Sequence, residues 1–395
     1  MNKGDLCNII RKCYPKAFGI RKMLQRLKIK RLNNQLLSKD IIKKCEEDES
    51  FKKSIVDKYL NKERSRSLKP ITDEMETMIK NVSHYRDIED KDSLRTDMIF
   101  HRLAYGFLPS EYASFKLEEK TKEEIAEFVS DIDTFKFGYS VNDITELQYI
   151  VNKADSYKQF TKYFKRDVLI FDKHTKWDDF KSFVEKHRIF IKKKINSAQG
   201  NNIELIKVDE IENIEEYFNK NKNISKFLLE ELVVQSEEMA KFNSSSVNTI
   251  RCMTMVMKDG SIEVPYCFMR TGRNGSFVDN GGAGGIIIGV DEKTGIINTD
   301  GFDEYKNVYT EHPDTKVKFK GSQIPKWNDM LELCKSIAKE VNDIGFLSWD
   351  MSYTAKGWVV IEVNGIGQLI GPQIVMQRGI KSEIDELIKR MKLVI

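Results

Sequence analysis

The chain has 395 residues, of which 40% are hydrophobic and 10% aromatic, so it is long enough for two or three domains with packed cores. Lys and Arg number 65 against 61 Asp and Glu, and a net charge of only +4 argues against a nucleic-acid-binding protein. No stretch approaches the roughly 20 apolar residues of a membrane span, and the six cysteines show no metal-binding spacing, so we expect a cytosolic protein with reduced thiols.

The first 32 residues are strongly basic, with Asp5 as their single acid. Apolar residues are interleaved with the positive charges, among them Ile20, Met23 and Leu27. Two interpretations stay open. Residues 1–32 are either a basic, partly helical tail that packs on its own domain, or an arm that lies on an anionic membrane surface. The second interpretation would place the protein at the inner face of the membrane.

Three regions follow one another along the chain. Residues 1–105 are rich in Lys, Glu and Asp with helical spacing, interrupted at Pro15 and Pro70, and predict a helical N-terminal region. Residues 106–185 begin with a turn at Pro109-Ser110 and a helix around 122–130, and then alternate helices with short strands. Residues 186–395 carry strand-like apolar runs at 189–195, 227–234, 249–257, 264–269, 285–290, 346–354 and 358–364, an amphipathic helix at 327–341 and a final helix that carries apolar residues from 384 to 391. The last region predicts an α+β unit with a mainly antiparallel sheet.

The strand-like runs 346–354 and 358–364 are joined by Ala355-Lys356-Gly357, a short loop ending in glycine that is typical of a hairpin. If Thr354 pairs with Trp358, Asp350 falls directly opposite Glu362. Asn364 lies two residues on and shares the face of Glu362. The opposite face, with Val359, Ile361 and Val363, would then lie in the core.

Two opposed carboxylates beside a core are destabilising unless a cation lies between them. A hard divalent cation with oxygen ligands supplies that charge, and Mg²⁺ held by carboxylates and nucleotide phosphates fits best. The sequence therefore predicts Asp350, Glu362 and Asn364 as magnesium ligands. The alternative is a polar strand face that points to solvent.

Phosphate binding requires cations and backbone donors, and one segment offers both. Lys192, Lys193 and Lys194 end a strand-like run and precede the small polar loop 196–202, which contains Gly200. Such a loop lets backbone N–H groups reach phosphate oxygens, although three consecutive lysines are also typical of a solvated strand edge. The glycine-rich segment 281–285 is either a second donor loop or a tight turn. The GxxxxGK[ST] and GxGxxG patterns are absent from the sequence.

The order of these features resembles the ATP-grasp superfamily: a strand lysine, a glycine loop, a strand ending in Glu230-Glu231, then Asp and Glu-x-Asn on neighbouring strands. More narrowly, residues 100–370 resemble the sugar-transfer-associated ATP-grasp family, which is related to α-L-glutamate ligases. The segments that carry the likeness are Tyr-Gly-Phe-Leu-Pro-Ser-Glu-Tyr at 105–112, Ser-Val-Asn-Thr-Ile-Arg at 246–251, Val-Asp-Asn at 278–280 with Gly-Gly at 284–285, His-Pro-Asp-Thr at 312–315, Gly321 with Ile-Pro-Lys-Trp at 324–327, and Trp-Asp at 349–350. The resemblance implies an ATP-grasp fold after the helical N-terminal region. Residues 106–185 would form the pre-ATP-grasp region and first part of the nucleotide-binding unit, and residues 186–395 the catalytic domain.

The resemblance also implies ATP and Mg²⁺ as cofactors and assigns nucleotide-binding positions. Lys153 and Lys193 would contact the phosphates, with Gly200 in the adjoining loop. Glu230 and Glu231 would form the hinge whose backbone recognises adenine.

The remaining assignments concern the reacting groups. Arg270 and Asn280 match a pattern that contacts the transferred phosphoryl group, and Arg251 serves either substrate or structure. Asp350, Glu362 and Asn364 match the ligands of two Mg²⁺ ions. Family members often have Lys-Pro where this chain has Lys193-Lys194, so Lys192 and Lys194 stay open as alternatives to Lys193.

The activity implied by the resemblance is that of a ligase. ATP would phosphorylate a substrate carboxylate, and an amine would attack the resulting acyl phosphate. The substrate would be a small or sugar-linked molecule, with a role in cell-surface or capsular polysaccharide biosynthesis. Two alternatives stay open: a kinase that phosphorylates a sugar or other small acceptor at the same site, and a nucleotide-binding protein without catalysis.

Overall fold

The computed structural model describes residues 18–66, 69–195, 203–222, 226–279, 284–341 and 343–394. Gly200 and Asn280 lie outside these ranges, as does the basic segment before residue 18. The helices are, in chain order, α1 (Phe18–Asn33), α2 (Lys39–Glu47), α3 (Glu49–Arg66), α4 (Lys69–Asn81), α5 (Ser83–Arg86), α6 (Lys91–Tyr105), α7 (Pro109–Phe115), α8 (Lys122–Ala126), α9 (Asp131–Val141), α10 (Ile144–Val151), α11 (Lys153–Phe164), α12 (Trp177–Lys186), α13 (Ile214–Lys222), α14 (Glu237–Ala240), α15 (Trp327–Lys339), α16 (Ile370–Met376) and α17 (Lys381–Arg390). Within the described ranges, no helix is long and apolar enough to cross a bilayer.

The described strands form two antiparallel sheets. They are β1 (Val168–Phe171), β2 (Ile189–Lys194), β3 (Ile203–Lys207), β4 (Phe227–Glu231), β5 (Thr249–Val256), β6 (Ile262–Thr271), β7 (Ile286–Val290), β8 (Ile297–Phe302), β9 (Val308–Tyr309), β10 (Phe346–Thr354) and β11 (Gly357–Asn364). The small sheet has the order β1-β4-β2-β3, and the large sheet has the order β11-β10-β5-β6-β7-β8-β9. The predicted α+β architecture, with antiparallel sheets after a helical N-terminal region, is confirmed. The boundaries at residues 105 and 185 stay predictions.

The N-terminal helices bury an apolar core that also includes Ile374 of α16, and α6 shows how the sequence produces it. Asp90 caps the helix by accepting the N–H of Ser93 at 2.9 Å. Met98 then lies fully buried among its neighbours. Gly106 ends the helix with a φ of +88°, and a Cβ there would lie 2.8 Å from Cβ of Ile132, so both conformation and space favour glycine.

The large sheet is covered by α15, whose apolar residues recur at the helical spacing that the sequence predicted. Trp327, Met330, Cys334 and Ile337 from this helix enter the same core as residues of β5, β6, β10 and β11. Helix α15 therefore covers one face of the large sheet.

Three strands have no counterpart among the predicted ones: β3, β8 and β9. Strand β3 is an edge strand with largely exposed side chains, and β8 contains Asn, Thr, Asp and Gly. Neither has the apolar run that marks a buried strand. The helix predicted around 122–130 ends at Ala126, because Ser130 caps the next helix by accepting the N–H of Asp133 at 3.3 Å.

The hairpin of β10 and β11 pairs Asp350 with Glu362, in agreement with the prediction. Between Asp350 and the turn the predicted register is wrong, since Thr354 pairs with Gly357 and not with Trp358. A β-bulge after Asp350 adds one residue to β11 and accounts for the difference.

Because of the bulge, the side chains of β11 that enter the core differ from the predicted ones. The core cluster takes Trp358, Val360 and Val363 from this strand, whereas the expected set was Val359, Ile361 and Val363. Ile361 is skipped in the register with β10, and its side chain lines a cleft beside the sheet. A shift by one residue moves side chains to the other face of a strand, so the bulge directs both Ile361 and Glu362 to this cleft.

Candidate functional site

A cleft separates the small sheet from the bulged part of β11. Helices α10 and α11 complete its walls. Four residues predicted from the sequence line it, namely Lys153, Lys193, Glu230 and Glu362. Apolar wall is supplied by Ile150, Leu228 and Ile361, among others. The cleft thus combines two cations and two carboxylates with a surface suited to a flat apolar ring.

Glu230 is the most strongly perturbed acid of the cleft. Its side chain is buried, and its Oε2 accepts hydrogen bonds from Arg166 Nη2 at 2.9 Å and from Lys193 Nζ at 3.1 Å. Burial alone would raise the pKa of Glu230, but the charges of Lys193 and Arg166 outweigh it and lower the pKa to about 2. Glu230 is therefore ionised and holds the Lys193 ammonium at the cleft wall.

The lysine run of β2 is divided between the two faces of the strand. Lys193 points into the cleft, opposite Leu228 in the register. The Nζ of Lys192 lies on the other side, 3.0 Å from Oδ1 of Asn221 and 5.1 Å from the ring centre of Phe227. Strand alternation thus places Lys193 in the cleft and directs Lys192 away from it.

Arg166 connects the two sheets at the back of the cleft. Besides Glu230, its guanidinium binds the carbonyl oxygens of Val360 at 2.6 Å and Ile361 at 2.9 Å. The bulge at Ile361 breaks the regular pairing of β11, and Arg166 satisfies the carbonyls there. The small sheet and the bulged strand are therefore held together by one buried cation.

Lys153 and Glu362 form the opposite side of the cleft. Lys153 is the first residue of α11, which Asn152 caps by accepting the N–H of Ala154 at 3.0 Å and of Asp155 at 3.2 Å. Its Nζ lies 3.2 Å from Oε1 of Glu362, whose side chain is 39% exposed. This pair joins a helix N-terminus to the open carboxylate of the site.

Asp350 lies deeper and is bound by two arginines. Its Oδ2 accepts from Arg251 Nη2 and from Arg270 Nη2, each at 2.9 Å, and Arg251 Nε donates to Oδ1. Burial would raise the pKa of Asp350, but Arg251 and Arg270 lower it below its usual range. Asn364 Nδ2 lies 3.4 Å from the same Oδ2.

Arg270 is shared between two buried carboxylates. Its Nε lies 3.5 Å from Oδ2 of Asp279 and 3.1 Å from the Thr249 hydroxyl, which in turn donates to Asp279. Burial lowers the pKa of Arg270, but Asp279 and Asp350 more than offset this and raise it. Burial raises the pKa of Asp279 despite its arginine partner. The four charges balance, and they fix the Arg270 guanidinium in place.

Each carboxylate of the predicted metal site thus has cationic partners in the protein: Asp350 has two arginines, and Glu362 has Lys153. The expectation that only a metal could compensate these two opposed acids is therefore too strong. The donor set still fits Mg²⁺, because it consists of two carboxylates and an amide, which are hard oxygen ligands. Glu362 and Asn364 are partly exposed, while Asp350 is buried under its arginine partners.

Glu231, predicted as part of the adenine hinge, lies at the end of β4. Its carboxylate accepts the N–H of Asp167 at 2.8 Å and lies 3.3 Å from Lys356 Nζ. Its own N–H donates to the Asp167 carbonyl at 2.9 Å. This N–H is thus already bonded between β4 and the residue before β1, so it is not available to contact a base.

Sequence reasoning missed several residues of the site. Arg166 follows a helix and precedes β1 without any motif, and only the tertiary structure shows it bridging two sheets. Ile361 was assigned to the core. Ser156 lies three residues after Lys153 on the same helix face, lines the cleft, and its hydroxyl finds no partner among the described residues. The i, i+3 spacing from Lys153 was a usable signal for Ser156.

Comparison with known proteins identifies a family that the chain matches. The model of the sugar-transfer associated ATP-grasp family matches residues 73–389. No curated protein sequence matches the chain.

Solved structures similar to this chain include synthetases and ligases of low sequence identity. The N5-carboxyaminoimidazole synthetase of Staphylococcus aureus, complexed with ADP, shares 12% identity at a TM-score of 0.37 over 57% of this chain and 48% of its own. The D-alanine–D-alanine ligase of Bacillus anthracis shares 10% at 0.38, over 64% and 70%. The VanG D-Ala:D-Ser ligase of Enterococcus faecalis shares 14% at 0.41, over 67% and 69%. The chain spans about half the length of the carboxyaminoimidazole synthetases that it matches.

Proposed function

Since this chain belongs to the sugar-transfer associated ATP-grasp family, we propose that it is an ATP-dependent ligase that joins a carboxylate to an amine. The observation that carries the proposal is the cleft, in which Lys153 pairs with Glu362 and Lys193 pairs with Glu230 beside an apolar wall. Two ammonium groups suit the phosphates of a nucleotide, and the wall suits its base. We propose a small or sugar-linked substrate in cell-surface or capsular polysaccharide biosynthesis.

The side chains that line the cleft would bind the nucleotide. Lys193 and Lys153 would each donate to phosphate oxygens, and Lys193 would keep its contact to Glu230. Glu230 would then keep Lys193 oriented, because Arg166 holds the same carboxylate from behind. Ile150, Leu228 and Ile361 would pack against the base.

Phosphoryl transfer would take place beside Arg270 and Arg251. These guanidinium groups are fixed by Asp350 and Asp279 before any substrate binds, and such prearranged charge is the main source of rate in phosphoryl transfer. Glu362, Asn364 and Asp350 would hold Mg²⁺, which when bound neutralises phosphate charge and orients the phosphates.

The proposed reaction has two steps. A carboxylate oxygen of the substrate attacks the γ-phosphorus, and ADP leaves. An amine then attacks the acyl carbon of the acyl phosphate, the carbon–oxygen bond to phosphate breaks, and inorganic phosphate leaves with one oxygen from the original carboxylate. A carbon–nitrogen bond is formed, and the amine proton passes to solvent or to phosphate.

The test measures whether the carboxylate oxygen of the substrate appears in inorganic phosphate. The enzyme is incubated with Mg·ATP and a mixture of amino acids and nucleotide sugars, with the carboxylate oxygens labelled with a heavy isotope. We expect labelled inorganic phosphate and a product lighter than its two parts by one water. A product that carries an added phosphoryl group, with unlabelled phosphate, would instead identify a kinase.

Hydroxylamine gives a second measurement on the same mixture. It traps an activated acyl group as a hydroxamate, which phosphorylation of a hydroxyl group never produces. Nucleotide binding without either product, in the presence of every acceptor tested, would favour the non-catalytic alternative.

A further inference from the structure

Helix α1 packs on the protein with its polar face. Gln25 is fully buried, and its Nε2 donates to the carbonyl oxygens of Tyr139 at 2.7 Å and Asn142 at 2.8 Å. Arg21 is buried too, with Nη1 3.5 Å from Oδ2 of Asp143. Leu24, Ile29 and Leu32 of the same helix are partly buried, whereas three other apolar side chains stay exposed.

The outward face of α1 carries those apolar side chains. Ile20, Met23 and Leu27 are 49%, 54% and 43% exposed. Their spacing of three and four residues places them in one stripe along the helix. Helix α1 therefore presents apolar side chains on its outward face, where a surface helix usually carries polar ones.

Positive charge flanks this stripe. The helix contains six Lys and Arg and no Asp or Glu. Arg26, Lys30 and Arg31 are exposed and lie on the stripe or at its edge. Aliphatic side chains surrounded by basic residues on one outward face are the pattern of a helix that lies in the interface of an anionic bilayer.

We propose that α1 docks the protein on an anionic membrane surface. Ile20, Met23 and Leu27 enter the boundary between headgroups and acyl chains, and Arg26, Lys30 and Arg31 contact anionic headgroups. Two other partners could cover the stripe, namely residues 1–17 and a second copy of α1, and charge disfavours both. Residues 1–17 contain four Lys and Arg against one Asp, so they would bring positive charge to a positive helix. A second copy of α1 would do the same.

The attachment of α1 makes the docking surface a fixed part of the protein. Asn142, whose carbonyl accepts from Gln25, binds the N–H groups of Gly345 and Phe346 and the carbonyls of Phe346 and Gly365 through its side chain. These contacts lie at the start of β10 and directly after Asn364. Docking through α1 would therefore hold the cleft in a defined orientation to the membrane, whatever reaction the cleft supports.

The experiment measures co-sedimentation of the full chain with phosphatidylcholine vesicles, with and without phosphatidylglycerol. We expect binding to the anionic vesicles that falls as salt rises. The triple variant Arg26→Gln/Lys30→Gln/Arg31→Gln should weaken partitioning about 100-fold, at about fivefold for each basic residue. The variant Met23→Gln/Leu27→Gln should weaken it at least about tenfold, because less apolar area is buried.

A matched control removes three charges elsewhere, with Lys43→Gln/Lys181→Gln/Arg188→Gln, which are exposed. It should bind as the unmodified chain does. The proposal is overturned if this control loses as much binding as the α1 triple variant, if Met23→Gln/Leu27→Gln binds unchanged, or if anionic vesicles are not bound. A dimer in gel filtration that Met23→Gln/Leu27→Gln converts to monomer, or binding to an acidic protein but not to vesicles, would assign the stripe to those partners instead.

Discussion

Replacement of Glu230 by glutamine tests the central ion cluster of the cleft. The change keeps the shape of the side chain and removes the charge that compensates Arg166 and Lys193. The pKa of Glu230 lies at about 2 against an ordinary value of 4.5. A lowering of about 2.5, at about 1.36 kcal/mol for each pH unit, corresponds to about 3 kcal/mol of folding free energy at neutral pH. Removal of one partner from a buried pair costs a similar amount.

The sign of the pH dependence follows from the lowered pKa. Because the carboxylate is more acidic in the folded state, its contribution is fully present above the unfolded value of about 4.5 and is lost as the pH falls toward 2. The stability advantage of the unmodified chain over Glu230→Gln should therefore be about 3 kcal/mol at pH 7 and smaller by about 1 kcal/mol at pH 4.

The measurement is urea unfolding at pH 7 and pH 4, followed by far-UV circular dichroism and tryptophan fluorescence, whose transitions must coincide. Glu231→Gln is the matched control, since this neighbour is partly exposed and should lose less than about 1 kcal/mol. A loss below 1 kcal/mol for Glu230→Gln, or an advantage that does not change between the two pH values, would refute the inference that Glu230 is an ionised, buried partner of two cations.

Two further predictions concern ligands and the metal site. Lys193→Ala should weaken ATP binding much more than Lys192→Ala or Lys194→Ala in calorimetric titration, because Lys193 lines the cleft and Lys192 points away from it; equal small losses would mean that the run is a solvated edge. Asp350→Asn should destabilise the fold by about 3 kcal/mol, because it leaves two buried arginines without their shared carboxylate, whereas the partly exposed Glu362→Gln should cost less than about 1 kcal/mol. Both metal-site variants should lower Mg²⁺-dependent ATP turnover by orders of magnitude, and near-normal turnover in either would contradict the assignment.

The arginine partners of Asp350 decide the sign of this stability change. If the opposed carboxylates at positions 350 and 362 only repelled each other, removal of one would stabilise the protein. Asp350 instead lies between Arg251 and Arg270, so its loss exposes a net positive charge in a buried site. The activity expectation is unchanged, because it depends on the ligand atoms and not on the repulsion.

Local patterns in the sequence determined much of the fold. Apolar runs located two of the four described strands of the small sheet and five of the seven described strands of the large sheet, because a strand buried on at least one face needs such a run. Strand alternation alone predicted that Lys193 and Lys192 point in opposite directions. The hairpin pattern predicted that Asp350 opposes Glu362, although it placed the turn pairing one residue away from its position in the structure; the bulge at Ile361 compensates for that difference.

The tertiary structure alone decided which distant charges meet. Arg166 binds Glu230 and the carbonyls of β11, and these partners lie 64 and 194 or 195 residues away along the chain. The bulge at Ile361 also has no local signal, because it depends on how Arg166 satisfies the carbonyls of the bulged strand. Contacts between residues remote in sequence depend on how sheets pack, and packing energy is spread over the whole core. The sequence could therefore name most of the cations and acids of the site, while their pairing was set by the fold.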